Sequence, residues 1–176
     1  MAKKSKKLKE LQLPIIIAIF AIVIVCAALN IWILLKVKTQ IAISQPVIIP
    51  EGYLQASVDI SGNIVSLTSQ CEQITATVAD AQAEAIKTGL ENITSYRPLT
   101  HDIMRDILEF FDIKLLAVRI DKMENMTYFG RLLLQQGERG LSLDVRPSDG
   151  IALALRTGSP IFVNQSLFEK YGKKIC

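Results

Sequence analysis

DAQAEAIKTG (residues 80–89) and DGIALALRTG (residues 149–158) align without a gap. Asp80 meets Asp149, Ala83 meets Ala152, Ala85 meets Ala154, Ile86 meets Leu155, Lys87 meets Arg156, and Thr88-Gly89 meets Thr157-Gly158. Each segment reads as a helix with an acidic residue in its first turn, a basic one in its last and glycine as its C-terminal cap. Charges so placed complement the helix dipole at both ends. Helix grammar alone accounts for the charges, whereas small residues at matched positions point to an internal duplication. The four alanines would let both helices lie close against a sheet.

Outward from these segments the same order of elements occurs twice. Residues 53–60 and 64–69 read as strands meeting at Ser61-Gly62-Asn63, a tight-turn signal, and 73–78 alternates as a third strand. Helices are predicted over 79–90 and 100–111. Strands then follow over 115–120, 128–134 and 141–146, a helix over 148–157, a short strand over 160–163 and a last helix over 165–171. The predicted class is α+β: two β-β-β-α-α halves building one sheet with helices packed on it.

The N-terminal part differs in composition. Residues 13–35, LPIIIAIFAIVIVCAALNIWILL, contain Asn30 as their only strongly polar member. Twenty-three helical residues span roughly 34 Å, enough for a bilayer core. A cleaved signal peptide is the rival reading, with small residues at Cys26-Ala27-Ala28, but the apolar run continues for seven residues beyond Ala28. The expected organisation is a basic tail (1–12), a single transmembrane helix (13–35), a linker (36–51), a compact domain (52–172) and a short C-terminal tail (173–176). Lys3, Lys4, Lys6, Lys7 and Lys9 before the span against Lys36 and Lys38 after it predict a cytoplasmic N-terminus. The domain would then be extracytoplasmic, in a single-pass cell-membrane protein whose partner is the lipid bilayer. Sequons at Asn92, Asn125 and Asn164 would be usable on that side. Seven lysines and one glutamate give residues 1–38 a charge of +6, while the whole chain is +3; residues 39–176 therefore carry −3. The basic balance belongs to the N-terminal part, and Cys71 and Cys176 can pair only if folding brings them together.

Two short stretches could carry chemistry. RPLTHD (97–102) opens a helix and holds the single histidine of the chain, and DVRPSD (144–149) runs from a strand into another helix. Thr100 and Ser148 are good N-caps, Asp102 and Asp149 suit first turns, and the arginines can satisfy carboxylates, so a purely structural reading accounts for each stretch alone. Taken together they read as a site. Arg97, Thr100, Arg146 and Ser148 beside helix N-termini suit phosphate binding. Asp102, Asp144 and Asp149 are oxygen ligands suited to Mg²⁺ or Mn²⁺, and His101 is a ligand or general base.

RPLTHD followed by LDVRPSDGIALALRTGSPIFV (143–163) resembles the bifunctional nuclease domain family, whose members show RPLTHD and then a D-x-RPSD-A-IALALR-x-x-x-PI-V pattern. The resemblance covers about residues 52–170 and rests on two separated motifs in the right order. It implies an α+β domain with internal duplication and nuclease activity on DNA and RNA. Carried over by position, it implies site residues Arg97, Thr100, His101, Asp102, Asp144, Arg146, Ser148 and Asp149 as motif positions. The chemistry of the residues themselves makes His101, Asp102, Asp144 and Asp149 the expected catalytic ones. Gly150 stands where the family usually has Ala, Gln82 where it usually has Glu, and an anchor replaces the soluble setting of many relatives.

Two functions compete. One is a membrane-anchored, metal-dependent phosphodiester hydrolase acting on DNA or RNA. The other is a non-catalytic binding or assembly module that offers the same helix N-termini to an anionic ligand, a protein partner or a second copy in a homo-oligomer. The −3 charge of the domain weighs against the first, because nonspecific nucleic-acid affinity comes mainly from cationic surface.

Overall fold

Along residues 64–69 every second position is buried (Val65, Leu67 and Ser69), as expected of a strand with one face on a core. The computed structural model describes residues 20–33 and 51–176. Two units are distinguished, one ending at Val47 and one beginning at Ile48.

In the first unit, the described residues 20–33 form helix α1, all of them exposed. The amide of Asn30 donates back to the Cys26 carbonyl at 2.8 Å, so the polar residue is satisfied within its own helix. The described stretch of this helix, fourteen residues, amounts to about 21 Å against a hydrocarbon core of roughly 30 Å. Among the described residues no helix is long and apolar enough to cross a membrane. This corrects the expected transmembrane helix over 13–35 and the single-pass membrane placement built on it. The rest of that span, the basic tail 1–12 and residues 36–50 of the expected linker lie outside the described residues.

The second unit is α+β. Its elements are β1 (Tyr53–Gln55), β2 (Ser57–Ser61), β3 (Ile64–Ser69), β4 (Glu72–Thr77), α2 (Asp80–Leu90), α3 (Thr100–Phe110), β5 (Lys114–Glu124), β6 (Thr127–Gln136), β7 (Arg139–Val145), α4 (Pro147–Thr157), β8 (Ile161–Asn164), α5 (Gln165–Tyr171) and β9 (Lys173–Lys174). They build two sheets and not one, in the orders β1-β8-β5-β6-β7 and β2-β3-β4-β9. Each half of the duplication thus starts its own antiparallel meander, β2-β3-β4 in one sheet and β5-β6-β7 in the other. The run expected as one strand over 53–60 is divided at Ala56, which is buried and separates β1 from β2. β1 pairs with β8 in the larger sheet, and β2 pairs with β3 in the smaller. β8 lies parallel to β5, reached by a crossover through β6, β7 and α4.

Helix α4 is central. Gly150 to Ala154 are all buried, and they join Val118, Ile120, Leu132 and Leu134 of the larger sheet and Val65, Leu67 and Ile74 of the smaller in one core. A Cβ on Gly150 would come within 2.9 Å of Val118 and 3.3 Å of Val145, so the glycine lets the helix lie close on the sheet. The C-terminal residues expected as a tail belong to the fold. β9 pairs with β4, the Ile175 N–H donates to the Cys71 carbonyl (3.0 Å), and Cys71 is disulfide-bonded to Cys176.

Candidate functional site at three helix N-termini

Helices α2, α3 and α4 bring their first turns to one place. Ala81 and Gln82 from α2, Thr100 and His101 from α3 with Leu99 before them, and Asp149 from α4 line a pocket of about 200 Å³. N–H groups in a helix's first turn have no intrahelical partner and carry partial positive charge. Here the N–H groups of Gln82, Asp102 and Asp149 already donate to the carbonyls of Ala79, Leu99 and Arg146 (each 3.0 Å). The first-turn donors lining the hollow that can meet an anion are therefore those of Ala81, Thr100 and His101, from α2 and α3.

Local sequence sets this up. Pro147 at the start of α4 lacks the N–H that would be orphaned there. The N-cap positions are Leu99 and Arg146, not Thr100 and Ser148, which lie one and two residues inside their helices. Asp102 and Asp149 therefore both fall at the third helical position. The Leu99 N–H donates to Asp102 Oδ2 at 2.8 Å.

His101 Nε2 faces Asp149 Oδ1 at 3.5 Å, and the side chains are only 13% and 24% exposed. The other carboxylate oxygen, Asp149 Oδ2, accepts from Arg146 Nε at 2.7 Å. Burial lowers the His101 pKa below its ordinary value and the nearby Arg156 charge lowers it further, while Asp149 and Asp102 oppose the shift without reversing it. The imidazole is thus neutral at pH 7. With its proton on Nε2 towards Asp149, Nδ1 carries the lone pair. Gln82 contributes a buried Oε1 with no hydrogen-bond partner, so the residue that departs from the family pattern lies at the pocket itself.

The remaining site residues go elsewhere. Asp102 is buried, and its Oδ1 accepts from Arg156 Nε at 2.6 Å, with both side chains under 5% exposed. Arg156 also donates to the carbonyls of Ala85 (2.7 Å) and Ala152 (2.8 Å) and to Thr88 Oγ1 (2.9 Å), which ties α2, α3 and α4 together. Asp102 is consequently a structural anchor, its two oxygens committed to Arg156 and the Leu99 N–H. Asp144 pairs in register with Arg131, while its neighbour Leu143 pairs with Leu132 of the core. Its side chain therefore lies on the sheet face turned away from α4. Ser148 lines a separate small apolar hollow with Val65, Leu67 and Tyr128. Arg97 is exposed in the loop before α3.

The donors expected for Mg²⁺ or Mn²⁺, Asp102, Asp144 and Asp149, thus do not converge. Among the described residues no cluster of three or more His, Cys, Asp or Glu could hold a metal ion. That donor set does not fit the group.

Reasoning from the sequence missed Arg156, Leu99 and Ala81. Arg156 had a signal, since the repeat aligns it with Lys87, yet Lys87 is exposed and the alignment suggested only a dipole charge.

The fold and its helix-lined pocket define an α+β domain of two linked meanders with a hollow at the first turns of three helices. The chain belongs to the bifunctional nuclease domain family, whose profile matches residues 65–175. An uncharacterized protein of Mycobacterium tuberculosis is 33% identical over 95 residues, covering 54% of this chain and 56% of that protein. Bifunctional nuclease 1 of Oryza sativa subsp. japonica is 34% identical over 89 residues, 49% of this chain and 27% of the relative. Bifunctional nuclease 1 of Arabidopsis thaliana is 26% identical over 101 residues, 56% of this chain and 31% of the relative. The chain spans about half the length of the mycobacterial relative and under a third of the plant ones.

Proposed function

We propose that this chain is a phosphodiester hydrolase acting on DNA or RNA at the pocket formed by α2, α3 and α4. The observation that carries the reading is His101 held neutral against Asp149 where three helix N-termini meet. The plant relatives, named as bifunctional nucleases, support it.

In this reading a scissile phosphate sits on the free first-turn N–H groups, and His101 Nδ1 takes a proton from a water whose oxygen attacks phosphorus. The P–O bond to the leaving sugar oxygen breaks, and that oxygen takes a proton from solvent. Asp149 orients the ring and stabilises the imidazolium that forms. Arg146, 71% exposed and tied to Asp149 through Nε alone, stands at the rim where its other guanidinium nitrogens can meet phosphate oxygens. Charge building up on those oxygens meets donors fixed in advance by the fold.

The test is cleavage of single-stranded DNA and RNA by the full chain, with Mg²⁺, Mn²⁺ or EDTA, beside His101→Ala and Asp149→Asn. Cleavage should fall by about 10²-fold or more in His101→Ala, the usual worth of a general base. The rate should be level above pH 6.5 and drop only as pH falls through the lowered His101 pKa. Because the Asp149 charge raises that pKa, Asp149→Asn should move the acid limb to still lower pH besides slowing the reaction. Cleavage unchanged in both variants would place the activity elsewhere or in a contaminant. A folded chain that binds inorganic phosphate but cleaves nothing would leave the anion-binding module as its function.

A further inference from the structure

Helix α3 has two apolar faces. Met104 and Leu108 pack against the core. Ile103, Ile107, Phe110 and Phe111, spaced as one face of a helix, are 51%, 49%, 82% and 55% exposed. The C-terminus of the helix is fastened to the β6–β7 hairpin, because Gln136 Nε2 donates to the Phe111 carbonyl at 2.7 Å. The chain just after the helix meets β7, an edge strand of the larger sheet with Leu141 and Leu143 at 55% and 41% exposure: Ile113 lines one hollow with Leu134, Gly140 and Leu141. These leucines pair with Leu134 and Leu132 of the core, so they project on the face that the helices cover.

Edges of natural sheets are blunted by shortness, proline, lysine or a bulge. β1, at the other edge of this sheet, is three residues long. β7 has seven residues (RGLSLDV) with neither proline nor lysine, and its register with β6 is unbroken from Arg139 to Val145.

We propose that this edge and the apolar face of α3 form the interface with a second copy of the chain, β7 pairing antiparallel with its counterpart about a two-fold axis at Ser142. That register is self-complementary. Leu141 meets Leu143 of the other copy, both on the helix-bearing face. Asp144 falls opposite Gly140 and Arg139 opposite Val145, so no like charges face one another. A slip by one residue would set leucine against serine and turn the two helix layers to opposite sides. The six exposed side chains present on the order of 700 Å², close to the roughly 800 Å² per partner of a standard stable interface. The result is a ten-stranded sheet continuous across the axis, with the C-terminal end of each α3 near the seam. No residue lining the candidate pocket belongs to this patch.

The test uses the full chain with Cys26→Ser, which removes the free thiol of the described residues. Sedimentation velocity should give twice the 19.5 kDa chain mass, and Leu143→Lys or Phe110→Glu should shift it to the single-chain mass. Both variants should keep the circular dichroism spectrum and the melting transition of a folded domain. Ser142→Cys should form an intermolecular disulfide under mild oxidation, whereas Asp59→Cys, on the edge strand β2 of the smaller sheet, should not. A single-chain mass for the unsubstituted protein overturns the proposal and leaves the patch to a different protein. A dimer that survives both substitutions and cross-links no better through position 142 than through 59 overturns it in favour of another surface.

Discussion

Arg156 makes four hydrogen bonds from a side chain that is 4% exposed, and one of them neutralises the buried Asp102. Burial alone would push the Asp102 pKa up, but the bonds from Arg156 and the Leu99 N–H, with the charges of Arg156 and Arg105, hold it below the usual carboxylate range. A group whose folded pKa is depressed contributes stability above its unfolded pKa and loses it as pH falls through the folded one. Arg156→Met should therefore cost about 3–5 kcal/mol at pH 7 by stranding a buried carboxylate. Asp102→Asn should also be less stable at pH 7, and its deficit in urea denaturation should shrink as pH falls below about 4, the ordinary carboxylate range. An equal deficit at pH 7 and pH 3 would show that the ion pair contributes nothing through its charge. Gly89 has its explanation here as well. A Cβ there would come within 2.8 Å of the Arg156 guanidinium, so this glycine makes room for the arginine and does not cap α2, which runs on to Leu90. Its counterpart Gly158 does cap α4, at φ +67°. Identical letters in a repeat thus serve different ends, and no spacing rule separates them. Which member of a Lys/Arg pair is buried depends on what the other half packs against it.

At the scale of elements the sequence was most legible where a strand has one buried face. β3, with alternate residues buried, matches its predicted bounds, and α5 is found where the terminal pattern put it. What stayed hidden was the assignment of strands to sheets. A break at one buried alanine carries no periodic signal, since both flanking segments alternate normally, and only pairing partners distinguish β1 from β2. β9 was invisible for a related reason: two lysines and an isoleucine before a terminal cysteine have no strand pattern of their own. Their pairing with β4 accompanies the bond from Cys71 to Cys176, 105 residues apart. Closing a loop of that size restrains the unfolded chain by about 4–5 kcal/mol in the chain-entropy picture. Cys176→Ser should consequently lower the urea midpoint markedly, and dithiothreitol should lower that of the natural sequence to the same value. A reductant effect that persists in Cys176→Ser would sink the attribution.

For the whole molecule, the two motifs that carry the family resemblance divide their labour between holding the domain together and lining its pocket. RPLTHD supplies Asp102 to the ion pair and His101 to the hollow, and DVRPSD supplies Asp149 to the hollow while Asp144 faces the other way. The sequence singled out two stretches that both reach the pocket lining, RPLTHD through Leu99, Thr100 and His101 and DVRPSD through Asp149. It could not show which members meet, because the first-turn residues of three helices converge only through the packing of α2 and α3 on α4. The same arrangement bears on how the chain would hold a nucleic acid. Residues 39–176 carry a net −3, and the exposed cation tied to the pocket is Arg146, through Asp149. If two phosphates are contacted on a single strand, the slope of log affinity against log salt should be about −1.4, and affinity should fall only about sevenfold between 50 and 200 mM salt. A protein that contacts six to ten phosphates of a duplex would lose about 10³–10⁵ over the same range. Fluorescence anisotropy with a labelled single strand across that range measures the slope directly. Arg146→Ala should make it shallower by roughly one contact's share, about 0.7. A steep slope, untouched by Arg146→Ala, would mean that a basic surface away from the three helix N-termini does the binding.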